Sequence, residues 1–227
     1  MALTIKKFGQ GSVAESQKAW KPVLKEWASL MDRYVDAHEN DPAPFAYNER
    51  ANVGLLAGAI LLSHKKKNHC LEEYTARKTD SKGRVDLWAV VKEETYLAEA
   101  KFGRSSCQNG HPFFTSVRQS TESENVSVRD MLDAAMNQAA SYTSDEPSFH
   151  VAAAFIVPDI TKGQTTKFKH VWKQVLEEEL HLGTHSGFVA YYRQNRIKVD
   201  TNADCQRYPG VVLFLSFRRY QAPPEST

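Results

Sequence analysis

The chain has 227 residues, of which 41% are hydrophobic and 25% charged, and this fits one globular domain with a full core. A net charge of only +2 excludes a uniformly basic nucleic-acid-binding protein, so any nucleic-acid site must be a local surface. Three scattered cysteines argue against a disulfide framework and against a cysteine-rich zinc site. The N-terminus lacks the apolar segment of a signal peptide, and the most apolar run, 53–62, is too short to span a bilayer. We therefore expect a cytoplasmic protein without membrane contact.

The first third of the chain predicts two helices. Apolar residues spaced three and four apart over residues 14–39 are typical of an amphipathic helix. Pro42 and Pro44 then interrupt the chain. A second helix is expected from Asn48, a suitable N-cap, to about Leu62, and its nearly continuous apolar sequence indicates that it is buried.

Three strands are expected next, in segments rich in strand-forming residues: residues 70–77, 84–92 and 94–101. The tripeptide Lys92-Glu93-Glu94 between the last two predicts a tight hairpin, although it lacks the favoured Asn-Gly pair. Residues 102–125 form a long polar segment without clear periodicity, which predicts a functional or disordered loop.

The second half of the chain continues the alternation of helices and strands. Ser127 and Asp130 form a capping box at the start of a helix expected to run from about Val128 to Tyr142. Further elements are expected in this order: a buried strand at 149–157, an amphipathic helix at about 168–180, strands at 187–193 and 210–217, and a disordered tail at about 221–227.

The order of these elements predicts an α/β fold with a mixed central β-sheet flanked by helices. We expect a single domain over residues 1–227, because no repeat or linker divides the chain. Its core would span about 45–157, with an N-terminal helix at 14–39 and C-terminal additions at 164–217.

A cluster of charged side chains is predicted at the hairpin. Asp86 interrupts an otherwise apolar strand, and Glu99 and Lys101 lie two residues apart on the next strand, so the latter two share one face of the sheet. The other face would carry Ala98, Ala100 and Phe102. If the strands pair as a hairpin, Asp86 reaches the face of Glu99. Two carboxylates at such close range repel each other unless a divalent cation lies between them. Lys101 would then lie where it can orient or deprotonate water and balance the charge of a phosphate.

This arrangement resembles the PD-(D/E)XK nuclease superfamily. In that family an Asp on the second core strand and an acid on the third bind Mg²⁺, and the Lys that follows serves catalysis. Asp86, Glu99 and Lys101 match these positions, and Val85 stands where the family often has proline. The resemblance implies a restriction-endonuclease-like core of helix, three strands, helix and strand (αβββαβ), and the order predicted above matches it.

Two further motifs are similar to those of the RecB-like branch of the family. Gly83 to Asp86 reads G-x-x-D, and Gln138 to Tyr142 reads Q-x-x-x-Y on the helix that follows. Residues i and i+4 share one helix face, so both side chains can point at one site. In the family this pair helps to hold the nucleic acid. Many members also place a metal-binding acid on the helix before the first strand, and Glu49 is the candidate here.

The resemblance implies a metal-dependent phosphodiester hydrolase that acts on nucleic acid, with DNA as the expected substrate. The implied roles are as follows: Asp86, Glu99 and Lys101 catalytic; Glu49, Asp86, Glu99 and the Ala100 carbonyl as ligands of Mg²⁺ or Mn²⁺; Gln138 and Tyr142 in contact with nucleic acid. A homodimer or a partner protein could supply target specificity. Restriction, phage defence, repair, mobile-element processing and toxicity are all open as settings.

Simpler interpretations of the same residues stay open. Asp86 could be a residue of a hairpin edge, Glu99 and Lys101 a solvated strand face, and Gln138 and Tyr142 ordinary packing residues. The chain could also be a catalytically inactive module of the same fold that binds nucleic acid or a partner protein. An unrelated α/β protein would have Asp86 and Glu99 on opposite sides of the sheet.

Three other features could also belong to a site. The basic run 64–67 could contact phosphates or be a solvated helix end. The segment 103–118, which mixes basic and aromatic residues, could close over single-stranded or flipped-out bases, or be an ordered surface loop. His181 and His185 have the spacing of some zinc sites, but Gly183 interrupts the helix and no cysteine is near, so we do not expect them to bind a metal.

Overall fold

The structure is a computed structural model of the chain. It describes the following residues: 2–9, 18–38, 43–64, 67–78, 82–106, 116–119, 125–142, 147–159, 182–194 and 210–220.

Two helices precede the central strands, as the apolar spacing predicts. Helix α1 (Trp20–Ala37) buries one stripe of apolar residues, among them Trp20, Trp27 and Met31. Helix α2 (Glu49–Ser63) begins after Asn48, whose side chain accepts a hydrogen bond from the Ala51 N–H and so caps the first turn. A 3₁₀ turn (Pro44–Ala46) lies between the two helices.

The described residues form nine strands: β1 (Ala2–Phe8), β2 (His69–Arg77), β3 (Lys82–Val91), β4 (Glu94–Ser106), β5 (Val117–Arg118), β6 (Asn125–Val126), β7 (Phe149–Asp159), β8 (Gly187–Arg193) and β9 (Gly210–Arg219). The main sheet has the order β1-β8-β9-β7-β4-β3-β2, and the two short strands β5 and β6 lie off this path. Neighbouring strands of the sheet pair antiparallel, with the exception of β4 and β7, which are parallel. Helix α3 (Val128–Ala140) lies between those two strands in the chain, as a parallel connection requires.

The helices cover both faces of this mixed sheet, so the α/β class is confirmed. Helices α1 and α2 pack on one face, against alternate residues of β3, β4, β7, β8 and β9. Helix α3 packs on the opposite face, where it meets Ala152, Ala154 and Ile156 of β7. Within the described ranges, no helix is both long and apolar enough to cross a membrane.

The hairpin between β3 and β4 is confirmed, and its turn is strained. Val91 pairs with Glu94, so the loop contains only Lys92 and Glu93. Both have positive φ, 49° and 75°, the conformation of a type I′ turn, which favours Asn-Gly. A side chain in the left-handed region costs about 1–2 kcal/mol per residue relative to glycine. The two turn residues therefore have an unfavourable backbone conformation, and the rest of the fold offsets its free-energy cost.

We expect the double substitution Lys92→Asn, Glu93→Gly to stabilise the protein by about 1–2 kcal/mol, because Asn and Gly adopt positive φ at little cost. The Lys92 N–H, which donates to Asn68 Oδ1 over 3.2 Å, is kept. Urea unfolding measures the change. Glu94→Gly, on the strand directly after the turn, is the control and should destabilise. A double variant no more stable than the wild type would contradict this description of the turn.

Several expectations need correction. Strand β1 was not predicted: it pairs with the distant strand β8 near the other end of the chain, from Ala2 with Arg193 to Phe8 with Gly187. Helix α2 is not buried throughout, because Leu61 and Leu62 at its C-terminal end are 47% and 38% exposed. The expected loop 102–125 is partly strand, since β4 extends to Ser106 and two short strands follow.

Some expectations fall outside the described residues. They are the first turns of the N-terminal helix, most of the loop at 107–115, the amphipathic helix at 168–180 and the tail at 221–227.

Candidate active site

The predicted division of strand β4 into two faces is present. Ala98, Ala100 and Phe102 belong to the core formed with helices α1 and α2. Glu99 and Lys101 alternate with them and therefore point to the opposite face, which helix α3 covers. The period of two residues is what places the carboxylate and the ammonium group on the same side of the sheet.

Strands β3 and β4 separate beside these two residues. Their ladder ends at the pair Leu87 and Ala98, and one further step of the same register would place Asp86 opposite Glu99. There the Ala100 N–H donates instead to Asp86 Oδ2 over 2.8 Å. The Asp86 carboxylate thus takes over a backbone hydrogen bond that the ladder would have made. Because a residue in a strand directs its N–H and C=O to the same side, the Ala100 carbonyl points into the same gap.

Glu49 reaches this gap from the other side of the sheet, at the first turn of α2. Burial raises the pKa of Glu49, the Asp86 charge raises it further, and Lys101 and the Phe102 backbone N–H act in the opposite direction. Glu49 therefore lies close enough to Asp86, Lys101 and strand β4 for their charges and dipoles to affect its carboxylate.

Glu99 carries the most perturbed carboxylate of the cluster. Its side chain is fully buried, and neither of its oxygens has a hydrogen-bond partner of normal geometry. The pKa of Glu99 is raised to about 8, first by burial and then by the nearby Asp86 charge. The Tyr142 hydroxyl and Lys101 act in the opposite direction, but the Tyr142 proton is donated to the Arg84 carbonyl. A buried carboxylate without donors is costly unless it is protonated or binds a cation.

The two Glu99 oxygens, which have no hydrogen-bond partner, are suitable ligands for a divalent cation, because Mg²⁺ and Mn²⁺ prefer oxygen ligands. Asp86, Glu99 and the Ala100 carbonyl could hold one, and Glu49 lies close enough to Asp86 to affect it electrostatically. Across the described residues, however, no three carboxylate, imidazole or thiolate groups are already grouped tightly enough to bind a metal together. The side chains of Asp86, Glu99 and Glu49 would have to move closer together to bind an ion.

Helix α3 connects to this cluster through the Q-x-x-x-Y pair. The Lys101 ammonium donates to Gln138 Oε1 over 3.0 Å. The Tyr142 hydroxyl donates to the Arg84 carbonyl over 2.6 Å. Burial raises the pKa of Tyr142 to about 12, and the Glu99 charge adds to this effect, while a hydrogen bond with Gln138 opposes it. Lys101, Gln138, Tyr142 and the strand before Asp86 thus form one network.

Two details of this region differ from the expectation. Helix α3 ends at Ala140, so Tyr142 lies just beyond it and forms an isolated bridge with Lys78. Tyr142 is also almost completely buried, at 1% exposure, and its ring lies 4.9 Å from the Lys78 ammonium. Tyr142 therefore supports the site from within and offers little surface to a substrate.

The glycine of the G-x-x-D motif has a packing role. A Cβ added to Gly83 would lie 2.6 Å from Lys78 Cε and 2.9 Å from Tyr142 Cε1. Any larger residue would displace the tyrosine ring and, with it, the Tyr142 contact to Arg84. The two motifs that resemble the RecB-like branch therefore meet each other in the fold.

If the chain is the nuclease that these motifs imply, Gln138→Ala should impair cleavage more than folding, because it releases the Lys101 ammonium while removing only one half-buried amide. Tyr142→Phe removes the hydrogen bond to Arg84 and should cost about 1–2 kcal/mol of stability with a smaller effect on cleavage. Cleavage rate and Tm, measured together for both variants, check this difference. The matched control is Asn137→Ala, on the exposed side of the same turn. Loss of Tm in Gln138→Ala with normal cleavage would show that Gln138 is only a packing residue.

The other candidate features are described only in part, and of the two candidate histidines the structure describes only His185. Both ring nitrogens of His185 are engaged, with Ser216 Oγ at 2.9 Å and Asp133 Oδ1 at 3.1 Å, and burial lowers its pKa. His185 therefore connects β9 to helix α3, and His181 lies outside the described residues. In the basic run after α2, the structure describes His64 and Lys67 but not the two lysines between them.

The sequence did not single out Glu73 for the site. By the register of β2 and β3, in which Glu72 pairs with Leu87 and Tyr74 with Val85, Glu73 stands opposite Asp86. Its φ is 52°, and its carboxylate contacts the guanidinium groups of Arg50 and Arg84. The register of β2 against β3 that places Glu73 there was not predicted from the sequence, and neither was the backbone conformation of Glu73.

Comparison with known proteins identifies no relative of this chain: no protein-family model, no curated protein and no solved structure matches it. The class of protein therefore has to be inferred from the fold and from the site.

Proposed function

We propose that the protein is a metal-dependent nuclease of the PD-(D/E)XK type, with DNA as its substrate. The observation that carries this proposal is the Glu99 carboxylate, buried and without hydrogen-bond donors beside Asp86, with Lys101 two residues further along the same strand. A protein without need of a cation or a proton at this point would have little reason to bury these groups together.

The order of elements supports the same class. Helix α2, strands β2, β3 and β4, helix α3 and strand β7 follow one another in the chain. This is the helix–strand–strand–strand–helix–strand order of the restriction-endonuclease-like core that the motifs imply. In that core the two acids and the lysine come from the second and third strands, and here they come from β3 and β4.

The proposed ligands of Mg²⁺ or Mn²⁺ are Asp86, Glu99 and the Ala100 carbonyl, with Glu49 as a further acid. When bound there, the cation would supply Lewis-acid stabilisation of the charge that develops on the scissile phosphate. Lys101, held by Gln138, is placed to orient an attacking water and to balance the phosphate charge. Because the pKa of Glu99 is raised to about 8, its carboxyl group would have to lose a proton to serve as a ligand of the cation.

A catalytically inactive module of the same fold is the second candidate. The observation in its favour is that the described acids do not yet form a cluster of three suited to a metal. Such a module would bind nucleic acid or a partner protein without cutting.

We extend the first proposal, that of a nuclease, to a cytoplasmic enzyme whose target specificity comes from a second copy of the chain or from a partner protein.

Turnover separates the two candidates. The purified chain is incubated with a labelled linear duplex, a single-stranded DNA and an RNA of the same sequence, each in excess over protein, in Mg²⁺. The proposal predicts several cuts per chain in at least one DNA and none when EDTA replaces Mg²⁺. Binding of DNA with no cleavage in Mg²⁺ or Mn²⁺ would favour the inactive module, and cleavage of the RNA alone would overturn the choice of DNA.

A further inference from the structure

Two arginines share one carboxylate at the edge of the candidate site. Arg84 NH1 lies 2.9 Å from Glu73 Oε2, and Arg50 NH2 contacts the other oxygen, Oε1. The side chains of Arg50 and Arg84 are 73% and 67% exposed, and that of Glu73 is 39% exposed. We call this group the Arg–Glu–Arg bridge.

The bridge is fixed next to the site by the chain itself. Arg50 directly follows Glu49, Arg84 lies two residues before Asp86, and Glu73 stands opposite Asp86 in the register of β2 and β3. The Arg84 carbonyl is also the acceptor of the Tyr142 hydroxyl, which holds the backbone of this arginine in place. Both guanidinium groups therefore start from backbone that belongs to the candidate active site.

Folding stability does not account for the bridge. Exposed ion pairs contribute about 0–1 kcal/mol, whereas a non-glycine residue in the left-handed region costs about 1–2 kcal/mol, and Glu73 has a φ of 52°. Moreover, two guanidinium groups around one carboxylate leave a net charge of +1 beside a cluster of three carboxylates. The excess positive charge of the two guanidinium groups would attract a polyanion such as nucleic acid to this site.

We propose that Arg50 and Arg84 bind a backbone phosphate of the nucleic-acid substrate. In the absence of substrate, the Glu73 carboxylate binds the same two guanidinium groups. A phosphate offers the same pair of acceptor oxygens as a carboxylate and binds arginine with comparable geometry. The phosphate displaces the Glu73 carboxylate from the two guanidinium groups. Glu73 thus preorganises the arginines and also competes with the substrate. This inference rests on the proposed function, because it assigns the substrate contact of the same site.

Binding without cleavage tests the inference separately from catalysis. Fluorescence anisotropy with a labelled single-stranded and a labelled duplex DNA is measured in EDTA, at several salt concentrations between 0.05 and ~0.3 M, conditions chosen because phosphate contacts depend strongly on salt. The variants are Arg50→Gln, Arg84→Gln and Glu73→Gln. Arg33→Gln and Glu26→Gln are the matched controls, since those two residues form an exposed Arg–Glu pair on α1, 2.7 Å apart.

We expect each arginine variant to bind DNA roughly tenfold more weakly at 0.1 M salt and to lower the salt dependence of binding by about one ion. Glu73→Gln should bind severalfold more tightly, because the competing charge is gone. The two controls should bind as the wild type does. Unchanged affinity in both arginine variants, or weaker binding in Glu73→Gln, would overturn the inference.

The same experiment distinguishes its failure from failure of the proposed function. If the wild type cuts DNA in Mg²⁺ and the arginine variants bind normally in EDTA, the nuclease proposal stands and the phosphate contact is wrong. If the wild type never cuts but the variants lose affinity as expected, the phosphate contact stands in a catalytically inactive protein. A wild type that neither cuts nor binds DNA overturns both.

Discussion

Replacing Lys101 by Ala should lower the rate of metal-dependent DNA cleavage by at least about a hundredfold, the usual contribution of a group that positions or moves a proton in the reaction. The Lys101 ammonium shares its face of β4 with the Glu99 carboxylate and is held by Gln138 Oε1 at 3.0 Å. Its loss should cost only about 1 kcal/mol of stability, since one half-buried hydrogen bond is removed. Rates are measured in Mg²⁺ with the fold checked by circular dichroism.

Two further variants complete this test. Lys25→Ala, at an exposed position of α1, is the matched control and should cut at the wild-type rate. Asp86→Asn should also abolish cleavage, yet its amide oxygen can still accept from the Ala100 N–H. The loss of cleavage in Asp86→Asn would therefore result from the missing negative charge, because the backbone hydrogen bond is kept. Normal cleavage in Lys101→Ala would remove the mechanism proposed for this site.

The second large effect concerns pH and metal. The pKa of Glu99 in the folded chain, about 8, lies above its ordinary value of 4.5, so between these values the folded state holds a proton that the unfolded state releases. Without metal, the free energy of unfolding should therefore fall as the pH rises from about 4.5 to about 8, and level off above that. The total change is on the order of a few kcal/mol, in keeping with a shift of this size.

Mg²⁺ or Mn²⁺ should reverse this loss. At pH 8 Glu99 is ready to give up its proton, and an ion present at a hundred times its Kd would stabilise the fold by about 2.7 kcal/mol. At pH 5 the same ion should stabilise it much less, because the proton must first be displaced. Thermal unfolding at pH 5, 6.5 and ~8, with and without the ion, measures both effects.

Glu99→Gln is the decisive variant for this prediction. It keeps the shape of the protonated side chain and removes its titration, so the stabilisation by metal should disappear. The fall in stability towards pH 8 should shrink to the part contributed by Glu49, whose pKa is also raised by burial. Glu93→Gln, in the exposed hairpin turn, is the control and should keep both. If Glu99→Gln retained the pH dependence of the wild type, another group would be its cause.

The part of the site that follows from local periodicity could be predicted from the sequence. Glu99 and Lys101 are two residues apart in a strand, so they share one face of the sheet. Gln138 and Tyr142 also lie near each other, although helix α3 ends at Ala140 and Tyr142 lies beyond the helical periodicity that predicted the pair. The structure brings both pairs and Asp86 to one region, and it places Glu49 there as well. Their catalytic and binding roles remain a prediction.

Features that depend on distant parts of the chain could not be predicted. Strand β1 pairs with β8, and no local pattern shows which strand an edge strand will find. The β3–β4 ladder ends at the pair Leu87 and Ala98, and the Ala100 N–H donates to the Asp86 carboxylate beyond it. No local pattern in the sequence shows where this ladder ends. The conformation of Glu73 is likewise set by its surroundings, because glutamate by itself disfavours positive φ.

Removal and return of the metal decides whether the protein is a metal-dependent nuclease. A labelled DNA is incubated with the wild type in Mg²⁺, then in excess EDTA, and then with Mg²⁺ restored, beside Asp86→Asn under identical conditions. We expect cleavage that stops with EDTA and resumes with Mg²⁺ in the wild type, and no cleavage in Asp86→Asn. Equal cleavage in EDTA, or cleavage by Asp86→Asn at the wild-type rate, would contradict it.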